Sequence, residues 1–374
     1  ADFKNGDNDN NTNGLFYLGN HKEATTVNGI TSSVTTSSSN IKLQGDFFSW
    51  GNNEPVINTS GDFTIESVSN SFSTLQNVRT SWFTFTNVGG IAIGKPTNVQ
   101  NVTVSEALIA GGAITIYGKD IAINENLTST GDILLSATNN FITDNGSRQT
   151  ITSNNGNVSI FADSDASGTG VLDLDRLTVN AGSGDILVRG ETFSWGTDSA
   201  GIIPIFNGTG GFTLEPSDNS FGGGLDVGAW IKFNNDSSKF SSITIGKASN
   251  TADVTFTSSG TGTSSFNVAG PMTVYGRDII VNTNLDTSSA TGGTILLKAS
   301  RSIVQEAFRS ITTNNGHVIF WSNTGTSSDD GFILLKNNSS ITTNSGHLWM
   351  GGGSGTATWK GLTVGNGSAT GNNW

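Results

Sequence analysis

The feature that most constrains this chain is that it repeats itself on two scales. Phe48-Ser49-Trp50-Gly51 recurs 145 residues later as Phe193-Ser194-Trp195-Gly196. Phe63-Thr64-Ile65-Glu66 recurs after 149 residues as Phe212-Thr213-Leu214-Glu215, and Ile91-Ala92-Ile93-Gly94-Lys95 after 152 as Ile243-Thr244-Ile245-Gly246-Lys247. Ile151-Thr152-Ser153-Asn154-Asn155-Gly156 recurs after 160 as Ile311-Thr312-Thr313-Asn314-Asn315-Gly316. The offset grows along the chain, so small insertions separate the matched blocks. Internal periodicity of this kind marks a repeat architecture, in which each unit packs only on its neighbours.

Inside each long copy runs a shorter rhythm, Gly-x-apolar-x-apolar. It starts at Gly112, Gly131, Gly156 and Gly184, spacings of 19, 25 and 28 residues. The runs alternate apolar and polar, as in Ile114-Thr115-Ile116-Tyr117, Ile121-Ala122-Ile123-Asn124 and Val254-Thr255-Phe256-Thr257. Alternation turns one face of a strand inward and the other outward. Gly, Asn, Ser and Asp bound each run and supply the turns. No stretch holds a 3.6-residue apolar period beyond two turns, so no helix is expected. The inner spacing suits coils of roughly 20–28 residues with two or three short strands each. Propeller blades would be equal and longer, and a sandwich would not repeat at about 150 residues. The expected fold is therefore all-β, a parallel β-helix or β-solenoid. Coils rising about 4.8 Å each would give a rod on the order of 70–85 Å.

The copies divide the chain into four segments. Residues 1–45 read as the end of a preceding copy, because Gly14-Leu15-Phe16-Tyr17-Leu18 aligns with Gly170-Val171-Leu172-Asp173-Leu174 and with Gly331-Phe332-Ile333-Leu334-Leu335. Residues 46–190 form one copy and 191–353 the next, and 354–374 reads as the start of a following coil, all in one continuous solenoid. No polar cap is legible at either end, so the chain is expected to be a window on a longer protein. Ile93, Ile116, Ile123, Leu135, Ile245, Val281 and Leu297 are the expected core.

Composition narrows the function classes. Charged residues make up 13% of the chain, against about 25% in an average domain. The surface must then be Ser, Thr, Asn and Gly. The net charge is −12 and no basic cluster exists, which argues against nucleic acid and anionic membranes as partners. The chain has no cysteine, which removes thiolate metal sites and cysteine nucleophiles. No apolar run is long enough to span a bilayer as a helix, so no membrane insertion of this segment is expected.

Parallel β-helices include enzymes that act on polysaccharides, so acid pairs need weighing. Asp173 and Asp175 stand two apart on an expected strand, a spacing that would place both on one face. The sister positions carry Leu334 and Lys336, and Tyr17 and Gly19, which favours a solvated face over catalysis. Asp329-Asp330 reads the same way. His317 and His347 each follow a glycine where the other copies carry Asn157 and Asp185, so they read as polar turn residues, and His21 completes the histidines. The motifs of zinc proteases, serine hydrolases and P-loops are absent. Asp7-Asn8-Asp9-Asn10-Asn11 and Asp163-Ser164-Asp165 resemble pieces of calcium loops, but neither supplies a closing bidentate acid nearby, and a turn is the better reading. No cofactor is expected beyond that calcium alternative. The repeated aromatics Trp50/Trp195, Trp82/Trp230 and Tyr117/Tyr275 fit a seam of the solenoid or a sugar-stacking platform. Trp82 and Trp230 are the candidate ligand-binding residues. Lys119-Asp120 and Arg277-Asp278 read as strand-edge charges of little energetic weight.

Two runs carry a family resemblance. Ile243-Thr244-Ile245-Gly246-Lys247-Ala248-Ser249-Asn250 and Met272-Thr273-Val274-Tyr275-Gly276-Arg277-Asp278-Ile279 resemble the β-strand repeats of very large surface proteins of flavobacteria. Gly131-Asp132-Ile133-Leu134-Leu135 is similar to a coil of filamentous-haemagglutinin-type adhesins. The resemblance covers nearly the whole chain. It implies a right-handed parallel β-helix, exported and displayed on the cell surface, and in some relatives adhesion during gliding motility. Cell surfaces, extracellular glycans and other segments of the same giant protein are the partners it implies. The expected function is a structural and adhesive segment of an extracellular fibre, not an enzyme. The alternatives are a polysaccharide-active β-helix enzyme and a non-catalytic glycan-binding module.

Overall fold

The computed structural model of the chain describes residues 2–4, 15–18, 33–35, 37–50, 55–73, 78–143, 146–168, 170–194, 203–233, 240–257, 265–325 and 331–367. Among these residues the chain is all-β apart from two single helical turns, Thr80–Trp82 and Val227–Trp230. The chain divides into two compact units, Ala1–Gly184 and Asp185–Trp374, hereafter units 1 and 2.

Unit 1 is built from parallel ladders. The first runs Asp2–Lys4, Ile41–Gln44, Phe63–Glu66, Ile91–Ile93, Ile114–Gly118, Ile133–Ala137 and Val158–Phe161. The second takes Leu15–Leu18 with Phe47–Trp50, and separately Val78–Arg79, Val102–Val104, Ile121–Ile123, Phe141–Ile142 and Val171–Asp173. The third takes Ser33–Thr35, Val56–Asn58 and Thr84–Thr86, and separately Leu108–Ala110, Leu127–Ser129, Gln149–Ser153 and Leu177–Asn180. Each turn of chain therefore lays one strand on each ladder. Ile114 pairs with Ile133, 19 residues on, and Ile133 with Val158, 25 residues on. These are the spacings of the glycine rhythm.

Unit 2 repeats the plan. Its first ladder runs Ile186–Arg189, Gly211–Glu215, Ser242–Ile245, Met272–Gly276, Ile295–Ala299, Val318–Ser322 and Leu348–Trp359. Its second takes Leu225–Asp226, Val254–Thr257, Ile279–Asn282, Ile303–Gln305 and Ile333–Leu335. Its third includes Ser265–Asn267, Asn284–Thr291, Ser310–Asn314 and Ser340–Thr342.

Within each unit, alternation turns the apolar positions of the stacked strands inward. The seven expected core residues are all at most 2% exposed. Because pairing is in register, each apolar side chain stacks on another in the next coil, as Ile93 does on Ile116 and Ile116 on Leu135. The wider cross-section is filled by rings. Phe63, Phe83 and Phe85 pack at centroid distances of 5.1–5.6 Å in unit 1. In unit 2, Phe212, Phe233, Phe240 and Phe266 form a longer chain of edge-on and tilted contacts.

The glycine rhythm has a steric cause. A Cβ built on Gly131 would lie 3.1 Å from the Gly112 carbonyl carbon. One on Gly156 or Gly184 would run into the backbone of Gly131 or Gly156, the stacked glycine one coil below. Gly293, Gly316 and Gly346 make the same column in unit 2.

From Gly353 on, the chain does not lay down the expected further parallel coil. Leu348–Trp359 pairs antiparallel with Leu362–Gly367, with a register shift between Gly352 and Thr356. The hairpin lies against the outward side of Val318–Ser322. There Ile319, Trp321 and Val364 form a small second core flanked by Leu296, Trp349 and Leu362. The physical reason is local. Ile319 and Trp321 place apolar bulk on the outward face beside Leu296, and the hairpin removes it from water.

Candidate functional site

The two candidate tryptophans end the two helical turns. Trp82 is half-buried at the end of Thr80–Trp82. Trp230 ends Val227–Trp230, and its side chain lies outside the described residues. Side chains tie both turns to the following coil. Thr80 Oγ1 accepts from the Ser105 and Glu106 N–H groups at 3.0 Å. The Asp226 carboxylate accepts from the Ala229 N–H at 3.1 Å, the Thr257 N–H at 3.2 Å and the Thr257 hydroxyl. The repeat thus sets each tryptophan on a comparable braced turn, one in each unit. Sequence reading found the tryptophans but not the turns, because a single turn is too short to show a 3.6-residue period.

Tyr117 and Tyr275 stand half-buried on first-ladder strands, and their carbonyls close a corner. Asn98 Nδ2 donates to Tyr117 O and Asn250 Nδ2 to Tyr275 O, both at 2.9 Å. The Asn98 carbonyl accepts from the Gln100 N–H, and that of Asn250 from the Ala252 N–H. Asn98 and Asn250 are 1% and 3% exposed. Gly94 and Gly246 precede them at φ of 74° and 76°, left-handed backbone that suits glycine. The signal for this corner was present in the sequence as the repeated block from Ile91 and from Ile243. What it lacked was any sign that the asparagine turns inward.

The remaining candidates resolve unevenly. Asp173 ends the strand Val171–Asp173, and Asp175 lies beyond it in a turn that Arg176 completes at φ 56°. They do not share a strand face. Asp173 Oδ1 accepts from the Asp175 N–H at 3.1 Å, so the pair shapes the turn. Asp163 is fully buried, and its carboxylate accepts from the Ser167 N–H and hydroxyl and from the Gly168 N–H. The loop donates to its own acid, which is the work of a turn. Among the described residues no group of three or more His, Asp or Glu side chains is placed to hold a metal ion. His317 and His347 are brought together. Their rings stack at 5.2 Å, His317 Nδ1 accepts from the His347 N–H at 3.0 Å, and Trp359 meets His347 edge-on at 5.5 Å. Trp50 lies on Phe47–Trp50 with its side chain outside the described residues. His21, Asp7–Asn11, Trp195, Asp329 and Asp330 also fall outside them.

The charged pairs differ from the expectation of simple edge charges. Arg277 reaches back one coil and grips Asp253 with two bonds of 2.9 and 2.8 Å. Arg301 grips Asp278 in the same way. Partial burial works against the Asp253 carboxylate. The Arg277 guanidinium and the Asp278 N–H outweigh it and hold the group below the usual carboxylate range. In unit 1, Asp120 accepts instead from Asn139 Nδ2 at 2.7 Å and the Asn140 N–H at 3.1 Å. Burial also holds the Lys298 ammonium below the usual lysine range, where it sits 3.8 Å from the Trp321 ring centroid.

What these residues share is a mechanical task. Asn98, Asn250, Asp120, Asp253 and Asp278 each satisfy backbone donors where the chain changes ladder. No helix among the described residues is long and apolar enough to cross a membrane. No family model, curated protein or solved structure matches the chain.

Proposed function

We propose that the chain is a structural and adhesive segment of a long extracellular cell-surface fibre, its ladders wound as a right-handed parallel β-helix. This is the architecture implied by the resemblance to flavobacterial giant adhesins and filamentous-haemagglutinin-like proteins, and it brings gliding motility within the reading. One observation carries the proposal: side chains seal the backbone at successive corners, over a stacked apolar interior and under a charge-poor Ser/Thr/Asn coat. Such construction resists extension, because parting one coil from the next breaks the backbone bonds of several ladders at once. It also offers cell surfaces and glycans a broad polar face of low charge density. Trp82 and Trp230 are the side chains assigned to glycan contact.

The test is adhesion under load. Beads carrying the chain should hold to glycan-coated or cell surfaces under flow better than beads carrying a soluble globular control. A glycan array should show weak, broad binding that Trp82→Ala and Trp230→Ala reduce. Cleavage of a neutral or acidic polysaccharide by the purified chain would replace this reading with an enzymatic one.

A further inference from the structure

In unit 2 the corner between the second and third ladders holds a phenylalanine out in water. Phe308 lies between Ile303–Gln305 and Ser310–Asn314 and is 73% exposed, more than any other large apolar side chain among the described residues. Its backbone is left-handed, at φ 61°. A bulky side chain is an outlier there, because its Cβ crowds the following carbonyl. Asparagine is the commonest residue at the other left-handed non-glycine positions among the described residues, as at Asn315 and Asn338. Unit 1 gives the comparison. At the same corner, between Phe141–Ile142 and Gln149–Ser153, Gly146 takes φ 89°, and a Cβ built on it would meet nothing within 4 Å. This corner faces open space, and its geometry suits glycine. Neither burial nor backbone preference accounts for a phenylalanine at 308.

The turn that presents the ring is tied on both sides. Gln305, fully buried, donates through Nε2 to Arg309 O at 2.9 Å and to Ser340 O at 3.0 Å. Arg309 Nε reaches back one coil to Asn282 Oδ1 at 3.1 Å. Lys336 Nζ, one coil on, pairs with the Glu306 carboxylate at 2.6 and 2.7 Å. The Phe308 N–H itself donates to Asn337 O at 3.2 Å. The following coil is thus already in place over the turn, so the ring is exposed at the side of the stack and not at its end. Strained backbone persists where its surroundings over-determine it, and it concentrates where a protein meets a ligand.

We propose that Phe308 is a sugar-stacking residue, its ring taking the C–H face of a pyranose in an extracellular glycan. The surroundings select this ligand over a protein partner. A protein interface centres on a contiguous apolar patch. Phe308 stands instead among Glu306, Arg309, Lys336 and Asn337, polar groups suited to the hydroxyls at the rim of a sugar whose apolar face lies on the ring. The inference rests on the glycan-contacting reading above, and it adds to Trp82 and Trp230 a contact that unit 1, with Gly146 at its own corner, does not carry.

Binding of the whole chain to an array of neutral β-linked glucose, galactose and N-acetylglucosamine oligosaccharides tests it, with urea titrations beside it. Phe308→Gly should keep a urea midpoint at or above that of the parent, since glycine adopts this φ freely. It should weaken binding about three- to tenfold, the worth of one stacked ring. Phe308→Trp should bind at least as tightly as the parent. Ile109→Ser, which removes an apolar side chain 67% exposed in unit 1, should leave binding unchanged. The inference fails if Phe308→Gly binds like the parent or melts at lower urea, if tryptophan does not preserve binding, or if Ile109→Ser weakens binding as much. In each of those cases weaker binding by Trp82→Ala and Trp230→Ala would still uphold the wider reading. A parent that binds no sugar on the array would overturn both.

Discussion

The corner between first and second ladders is built mainly from amides in unit 1 and mainly from ion-paired carboxylates in unit 2. In unit 1 the Asp120 N–H donates to Asn101 Oδ1, the Asn140 N–H to Asp120 Oδ1 and the Val171 N–H to Asn140 Oδ1. In unit 2 the Asp278 N–H donates to Asp253 Oδ1, the Ser302 N–H to Asp278 Oδ1 and the Phe332 N–H to the Ser302 hydroxyl oxygen. The acceptor is constant in role and variable in chemistry. Each coil needs an oxygen at that height to take up a backbone N–H that the ladders leave over. An amide, a carboxylate or a hydroxyl serves. Only where the acceptors are paired carboxylates do arginines follow, Arg277 on Asp253 and Arg301 on Asp278.

The comparison breaks most visibly where both copies are rigid. Ile116→Asp should cost about 3–5 kcal/mol, because a carboxylate there is buried without a partner. A thermal melt matching the parent would show that this run does not face inward. Gly156→Ala in unit 1 and Gly316→Ala in unit 2 should each cost about 3 kcal/mol or more, since the new methyl meets backbone rather than a movable side chain. Gly223→Ala should be close to neutral in the same urea titrations, because a Cβ there meets nothing within 4 Å.

Asn98→Ala and Asn250→Ala should come next, at about 2–3 kcal/mol each, as buried partners lose their bonds. Equal losses, read locally by hydrogen exchange, would confirm that the two corners are the same device. Unequal losses would mean that the surrounding rungs, not the asparagine, hold them.

Acid should separate the copies more gently. The folded-state pKa of Asp253 is depressed, so its contribution is present above the ordinary carboxylate pKa and is lost as pH falls through the folded value. Asn101, its counterpart, does not titrate. Hydrogen exchange around residues 253–279 should therefore accelerate below about pH 4 relative to residues 101–121. Glu66, also held below the usual range as Lys42 and Gln44 overcome its burial, should add a separate acid-sensitive point in unit 1. Arg301→Lys should have the smallest effect, under about 1 kcal/mol, because the pair is partly solvated.

The candidate site was less legible than the core. The tryptophans, tyrosines and acids stood out by type, yet their roles depended on which way a short turn carried them. Asp175 looked like the second member of a strand-face pair until the turn at Arg176 removed it from the strand. Asn98 and Asn250 were passed over because an asparagine in a loop ordinarily signals a turn, and nothing in its neighbours says it will be buried. Arg277 was read with Asp278, its neighbour in sequence, whereas stacking brings it to Asp253 a whole coil away.

The alternation of apolar and polar residues, the glycine at each coil start and the long internal repeat were enough to determine an all-β chain of short strands and to name its interior. Those features act through nearest neighbours along the chain, and a period of two residues points inward or outward whatever else the molecule does. Which side chains seal the corners, and that the chain turns back at Lys360–Gly361 instead of starting another coil, were decided only in three dimensions. Both depend on residues some 20 to 30 positions apart coming level with one another, as when Asn250 meets Tyr275 or Trp321 Nε1 donates to Gly353 O at 2.7 Å, and no local pattern carries that height.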